Sequence, residues 1–281
     1  MDRNGIKGSF RVAARDYIDS KINILSPRTV KEYEKYLRNL PEHFLNMQMN
    51  QITRADVQKL VNELTIGRAP KTVRNYHGFV SAVLSPYITL KTTLPRVEMV
   101  EPYIPTREDY NRLLEAFSGT QYHVIAQLMY HGLRRGEVIA LTLDDIEDTC
   151  VHVTKDMVIN SQNEWVIKPP KTAKSRRIVP IEKELADEIR KQGYIFKGHP
   201  NAIGKAFRRT QDRLGIPRFN PHSLRHLFVS VLLDGGCDMA TAQDVGGWET
   251  SYTIEKHYRQ SIQRGEKRRN KVLGILNDYL K

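Results

Sequence analysis

The chain has little cysteine, little tryptophan and no long apolar run, and each shortage narrows what it can be. Only Cys150 and Cys237 occur among 281 residues, far apart and without CxxC partners. Neither a disulfide framework nor a thiolate-rich metal site is expected, and free thiols suit a reducing cytoplasm. No apolar stretch approaches the ~20 residues that span a bilayer. The polar start from Met1 to Phe10 lacks the apolar centre of a signal peptide. The expectation is a soluble intracellular protein with no membrane partner. Acidic residues are also in deficit: 32 Asp and Glu face 44 Lys and Arg, a formal net charge of +12. That surplus favours a polyanionic partner, nucleic acid before an acidic membrane.

What is present is enough chain for two domains, each with its own core. The first hundred residues read as four helices. Val12, Ala13, Tyr17 and Ile22 are expected to face inward in the first. Ser26-Pro27 offers an N-cap and a first-turn proline ahead of Val30, Tyr33, Leu37 and Leu40. Thr53 to Asp56 has the form of a capping box before Val57, Leu60, Val61 and Leu64. The fourth helix starts at Ala69-Pro70 and turns Val73, Tyr76, Val80 and Val83 inward. Its outer face carries Lys71, Arg74 and Asn75 near the N-terminus, which suits phosphate contact or an ordinary solvated surface.

Helical spacing fails between Leu90 and Pro105, where Pro95, Pro102 and Pro105 mark a connector. The expected division is a helical domain over 1–100, a linker over 101–105 and a second domain over 106–281. Thr106 to Asp109 caps the first helix of that second domain, with Tyr110, Leu113, Leu114 and Phe117 inward. Strand chemistry then appears at Val151–Val153, Glu164–Ile167 and Arg177–Pro180, with Lys171 to Ser175 read as the polar loop of a hairpin joining the last two. Helical patterns return from Glu182. The fold class is mainly α with a small antiparallel sheet, without internal repeats or low-complexity tracts.

Four clusters carry chemistry. In Asn220-Pro-His-Ser-Leu-Arg-His226, His222 and Arg225 fall three apart on one helical face, at a helix start that favours anions. Leu224, Phe228 and Val231 are expected to pack inward on another side; a structural histidine and a surface arginine would use the same letters. Gly132-Leu-Arg-Arg-Gly-Glu137 sets Arg134 three residues before Glu137, a guanidinium oriented by a carboxylate or a plain surface ion pair. Lys171 sits on a polar loop between strands, where a lysine reaches into a site or blunts a sheet edge. Gly246-Gly247-Trp248 ends one helix, and Ser251 begins another that contains Tyr252 and Tyr258.

The order of these boxes closely resembles that of the tyrosine recombinase, or phage integrase, family. It runs Gly-Leu-Arg-x-x-Glu, a loop lysine, His-x-Leu-Arg-His, Gly-Trp and a tyrosine, and the resemblance covers nearly the whole chain. It implies an N-terminal four-helix SAM-like core-binding domain and a C-terminal α+β catalytic domain with a tail helix. By similarity, Arg134 and Arg225 grip the scissile phosphate and Tyr258 attacks phosphorus to leave a 3′-phosphotyrosyl link. His222 accepts the phenol proton, Lys171 protonates the departing 5′-oxygen, and Glu137 holds Arg134. Lys174 is the alternative to Lys171. Trp248 occupies the position where many relatives carry a second histidine, and its indole N–H donates without shuttling a proton. The spacing from Trp248 to Tyr258 is one residue longer than usual, which makes Tyr252 the alternative nucleophile.

The resemblance also implies DNA contacts from Lys71, Thr72, Arg74, Asn75, Lys174, Arg208 and Arg209. The expected partner is double-stranded DNA at a specific recombination site, met by a solution monomer that becomes a homo-tetramer on synapsed DNA. An accessory DNA-bending factor is possible for such a system, and the setting is the cytoplasmic nucleoid. Such strand exchange needs no cofactor, ATP or metal, in keeping with a sequence that lacks a P-loop and a clear metal-ligand cluster. The C-terminal segment with Val272, Leu273, Leu276 and Leu280 is expected to dock on a neighbouring protomer. Within the family the expectation is the integrase of a mobile element. The competing functions are type IB topoisomerase-like relaxation and DNA binding without chemistry.

Overall fold

The computed structural model describes residues 8–98, 103–169, 176–252 and 254–255. Lys171, Lys174, Tyr258 and the tail from Arg264 lie outside the described residues. The chain divides into two compact units, one running to Val100 and including Val158–Val166, the other comprising Glu101–Met157 and the chain from Ile167 onward.

The helices of the first unit are α1 (Phe10–Asp19), α2 (Pro27–Asn39), α3 (Glu42–Leu45), α4 (Arg54–Leu64) and α5 (Pro70–Leu84). Capping explains where they begin. Ser26 accepts from the Thr29 amide, and Thr53 and Asp56 exchange side-chain and backbone bonds as the sequence predicts. The short α3, which follows Pro41, is an addition to the four expected helices. The register of α1 needs correction. Val12 and Ile22 are 52% and 51% exposed, while Phe10, Ala14 and Ile18 form the buried stripe. Phe10 decides this, because its ring packs edge-on against Phe44 with centroids 4.9 Å apart. On α5 the inward set is the expected one, with Phe79 joining it against Tyr33.

The second unit opens with α6 (Arg107–Ala116), α7 (Gln121–Tyr130) and α8 (Arg135–Ala140), and a 3-10 turn follows at Leu143–Asp145. Four short strands come next in the chain: β1 (Cys150–Val153), β2 (Asp156–Ile159), β3 (Trp165–Lys168) and β4 (Arg177–Pro180), the Val158–Val166 stretch of β2 and β3 being grouped with the first unit. The unit continues with α9 (Lys183–Gln192), α10 (Asn201–Leu214), α11 (Ser223–Asp234) and α12 (Met239–Gly246). The strands form two two-stranded sheets, β1 with β4 and β2 with β3. The expected hairpin of β3 with β4 is therefore wrong: the two strands that flank Lys171 in sequence belong to different sheets. The apolar faces give the reason, since Val151 and Val153 of β1 are fully buried with Val179 of β4. Their antiparallel register sets Cys150 opposite Pro180 and Val153 opposite Arg177.

Helix α11 packs on α7 and α12, and α12 packs on β4. Its inward residues include Leu224, Leu227, Val229 and Leu233, whereas Val231, expected inside, is 45% exposed. At the start of the unit, Thr106 and Asp109 form a second capping box, and the Tyr103 hydroxyl donates to Asp109 at 2.5 Å. Burial alone would raise the Asp109 carboxyl, but the bonds from Tyr103 and Thr106 outweigh it and hold the group below the ordinary carboxylate range. Replacing Thr106 with alanine is expected to remove about 1 kcal/mol of stability from this unit. Urea unfolding of the Thr106→Ala chain tests the value, and an unchanged midpoint would show that the cap contributes nothing.

Candidate DNA-cleavage site

The site is built where three element ends converge: the end of α7, the start of β4 and the end of α12. Gly132 follows α7 with φ of +89°, and a Cβ there would lie 2.7 Å from the Phe228 ring of α11. The position thus requires glycine for both backbone and space. Two residues later Arg134 is the N-cap of α8, and Glu137, in the first turn, closes back on it. The Glu137 Oε2 atom accepts from the Arg134 amide at 2.7 Å, and Oε1 accepts from Arg134 Nη1 at 2.7 Å. Arg134 Nη2 donates to the Gly247 carbonyl at 2.7 Å, which ties the arginine to the end of α12. The pair is not an ordinary surface one, because the Glu137 side chain is 2% exposed.

Arg177 holds the other side of the same carboxylate. Its Nη1 and Nη2 donate to Glu137 at 3.1 and 2.9 Å, and its Nε donates to the Val245 carbonyl at 2.8 Å. Nη2 also reaches the Gly132 carbonyl at 3.2 Å. Sequence reading missed this residue, although a signal was there. Strand alternation puts position 177 on the same face as 179, and Val179 is fully buried. An arginine on a core face needs buried partners. Burial alone would raise Glu137, but the Arg177 hydrogen bonds, with the charges of Arg177 and Arg134, hold it below the ordinary carboxylate range.

Arg225, on the first turn of α11, is fully buried rather than on a helix surface. Its Nη1 donates to the Gly132 carbonyl, and its guanidinium lies 3.7 Å from the centre of the Trp248 ring. Trp248 is 7% exposed, and a Cβ on Gly246 would overlap its indole. The ring therefore has the bare Gly246 backbone on one side and Arg225 close by. Gln243 secures the turn by accepting from the Trp248 amide and donating to the Trp248 carbonyl. Burial, with like charge from Arg134 and Arg177, pushes the Arg225 pKa well down, and Glu137 offsets part of this.

Two guanidiniums thus bond one buried carboxylate and a third, that of Arg225, lies within their electrostatic reach, so positive charge is in excess. Asp156 on β2 is a further group that sequence reading missed. Its carboxylate lies against Gly136, where a Cβ would overlap it, and burial raises its pKa. His222 is exposed at the start of α11, with its ring centre 5.0 Å from that of His226. Arg134, Glu137, Arg225 and Trp248 are brought together as one cluster, and Tyr252 is 71% exposed. Lys71, Thr72, Arg74 and Asn75 are exposed on α5, with Arg74 Nε donating to the Pro95 carbonyl; Arg208 and Arg209 are exposed on α10.

The sequence pattern of the phage integrase family matches residues 105–264, and that of its N-terminal SAM-like domain matches residues 10–65. The chain belongs to the phage integrase family of tyrosine recombinases. It is 24% identical over 248 residues to a tyrosine recombinase of Thermosipho africanus, covering 79% of this chain and 85% of that protein. The fold matches that of the Tn1549 transposon integrase, solved in complex with transposon right end DNA. The TM-score is 0.75 at 16% identity, over 92% of this chain and 99% of the other. The lambda integrase, solved as a tetramer bound to a Holliday junction, matches with a TM-score of 0.63 at 15% identity, over 90% and 78% of the two chains.

Within this recombinase, Glu137 has a lowered folded pKa. Its stabilising contribution is present above the unfolded carboxylate value and is lost as pH falls through the folded one. Glu137→Gln should cost about 3 kcal/mol near neutral pH, because two arginines lose their buried counter-charge. The variant should also lose less stability than wild type on acidification below about pH 4. Denaturant unfolding at several pH values measures both effects, and parallel pH profiles would contradict the assignment.

Proposed function

We propose that this protein is the site-specific recombinase of a mobile element, cutting and rejoining DNA through a phosphotyrosyl intermediate, and that Arg225 and Arg134 hold the scissile phosphate. One observation carries the reading. Arg225 Nε and Nη2 are buried and have no hydrogen-bond partner among the described residues. These two donors form one edge of the guanidinium, the edge that binds a phosphate through two parallel bonds. Leaving them unsatisfied is costly in a dry site, and a phosphodiester supplies the missing acceptors and the missing negative charge.

The chemistry proposed around that arginine is the one the family resemblance implies. Tyr258 Oη bonds to phosphorus as the bond to the 5′-oxygen breaks, leaving a 3′-phosphotyrosyl link and a 5′-hydroxyl. The phenol, with a free pKa of about 10, gives its proton to His222, and Lys171 protonates the departing oxygen. Fixed guanidiniums favour the pentavalent transition state, whose equatorial oxygens carry more charge than the ground-state diester. Glu137 and Arg177 act through Arg134 by fixing its direction, and Trp248 presents Arg225 and shields it from water. Because the covalent link keeps the bond energy of the phosphodiester, a 5′-hydroxyl from a second strand reverses the step and completes the exchange.

DNA contacts are assigned to Lys71, Thr72, Arg74 and Asn75 on α5, to Arg208 and Arg209 on α10, and to Lys174. The exposed side chains described on α5 and α10 support this. The lambda integrase tetramer on a Holliday junction supports a four-subunit assembly of this chain on synapsed sites.

The test is to express the chain beside its Tyr258→Phe variant, capture each under denaturing conditions and sequence the DNA that stays attached. Recovery with wild type alone supports Tyr258 and identifies the recombination site. Equal recovery with the variant moves the nucleophile to another residue, Tyr252 first. Arg225→Lys, which keeps charge but loses the planar fork, should cut cleavage of that site at least about 100-fold. Unimpaired cleavage would remove Arg225 from the phosphate.

A further inference from the structure

Apart from the recombination site, Glu147, Cys150 and His152 place one carboxylate, one thiol and one imidazole within 4.8 Å of one another. We propose that these three side chains form a binding site for a borderline-soft divalent cation of the zinc class, with water completing a tetrahedral shell. No CxxC or HxxxH spacing announced it, because the site is made by a strand and the turn before it. Cys150 and His152 are two residues apart on β1, so they share the face opposite the fully buried Val151 and Val153. Glu147 is brought alongside by a tight return of the chain. Its amide donates to the Cys150 carbonyl at 2.9 Å, and Ile146 bridges to Val151. The β1–β4 ladder fixes the other edge of the strand. The backbone is thus ordered before any ion arrives, which lowers the entropy cost of chelation.

The distances suit the ion. Zinc bonds of about 2.3 Å to sulfur and about 2.1 Å to nitrogen or oxygen set tetrahedral edges of about 3.6 Å from sulfur and about 3.4 Å between nitrogen and oxygen. Here Sγ lies 3.4 Å from Glu147 Oε2 and 3.9 Å from His152 Nε2. His152 Nε2 lies 2.6 Å from the other Glu147 oxygen, Oε1, so the carboxylate must turn to offer one oxygen at bonding distance from the ion. Glu147 can provide this, since its side chain is 64% exposed. Binding replaces the His152–Glu147 hydrogen bond with two metal bonds, and the Cys150 thiol releases its proton to water. One thiolate, one imidazole and one carboxylate suit zinc better than calcium or magnesium, which take oxygen ligands. Such an ion is structural, clamping the turn that leads into β1.

The test uses the full chain and the metals alone. Cobalt chloride should give the near-ultraviolet thiolate-to-cobalt absorption in wild type and in Cys237→Ser, and none in Cys150→Ser. Zinc competition against a chromophoric chelator should show at least about tenfold weaker binding for Cys150→Ser and for His152→Ala. Circular dichroism checks that each variant is folded, and His152→Ala keeps the test decisive if the cysteine variant is not. The proposal is overturned if wild type gives no thiolate band, if the band follows Cys237, or if wild type and His152→Ala bind zinc equally.

Discussion

The buried carboxylate of Glu137 is the constraint on which the arginine cluster depends. An arginine can be held in the interior only if something offsets the loss of its water, and a single glutamate here does so for two. Arg134 approaches it from α8 and Arg177 from β4, and each also reaches a backbone carbonyl near the end of α12. The end of one helix, the start of the next and a strand are therefore fixed to each other through one ionised group. Removing it would leave two guanidiniums close together with only carbonyl dipoles to face. That is why Glu137 governs the geometry of the arginine cluster.

Arg225 stands in the opposite position. Glu137 is oversupplied with donors, whereas among the described residues Arg225 has one acceptor, the Gly132 carbonyl, an aromatic face, and two buried donors without partners. A folded protein tolerates such a deficit where a ligand will later remove it. The glycines keep the deficit in place: Gly132 lets Phe228 of α11 approach, and Gly246 admits the indole that lies against Arg225. The two arginines expected to share a phosphate are thus prepared differently, Arg134 oriented by charge and Arg225 by packing.

These differences explain what the sequence could tell. Capping boxes at Thr53 and Thr106 were legible because four adjacent residues decide them, and the stripe of α5 was legible because its period is unbroken. The register of α1 was not, since Phe10 opens the helix and its claim on the core depends on Phe44, thirty-four residues away. Strand pairing failed for the same reason. Nothing within β3 or β4 says that β4 belongs beside β1; the match of their apolar faces does. In the site, Arg134, Glu137, Arg225 and Trp248 were found because their boxes are short and ordered. Arg177 was passed over because an arginine opening a strand after a polar loop reads as the end of that loop, unless Val179 is already known to be buried.

Arg177 also stands at one end of the β1–β4 ladder. It is paired across from Val153, while Cys150 at the far end faces Pro180. A ladder of four residue pairs is short, and short two-stranded sheets are marginal without side-chain support at their ends. One end has that support in the Glu137 ion pairs, where Arg177 is only 5% exposed. The other end has a turn whose carboxylate, thiol and imidazole lie within bonding reach of one ion. A strand that positions a cluster of cations needs a fixed direction, because moving Arg177 by a fraction of an ångström redistributes the bonds of Glu137 and hence of Arg134. Stiffness at the Cys150 end therefore bears on the arginine cluster at the other end through the ladder itself.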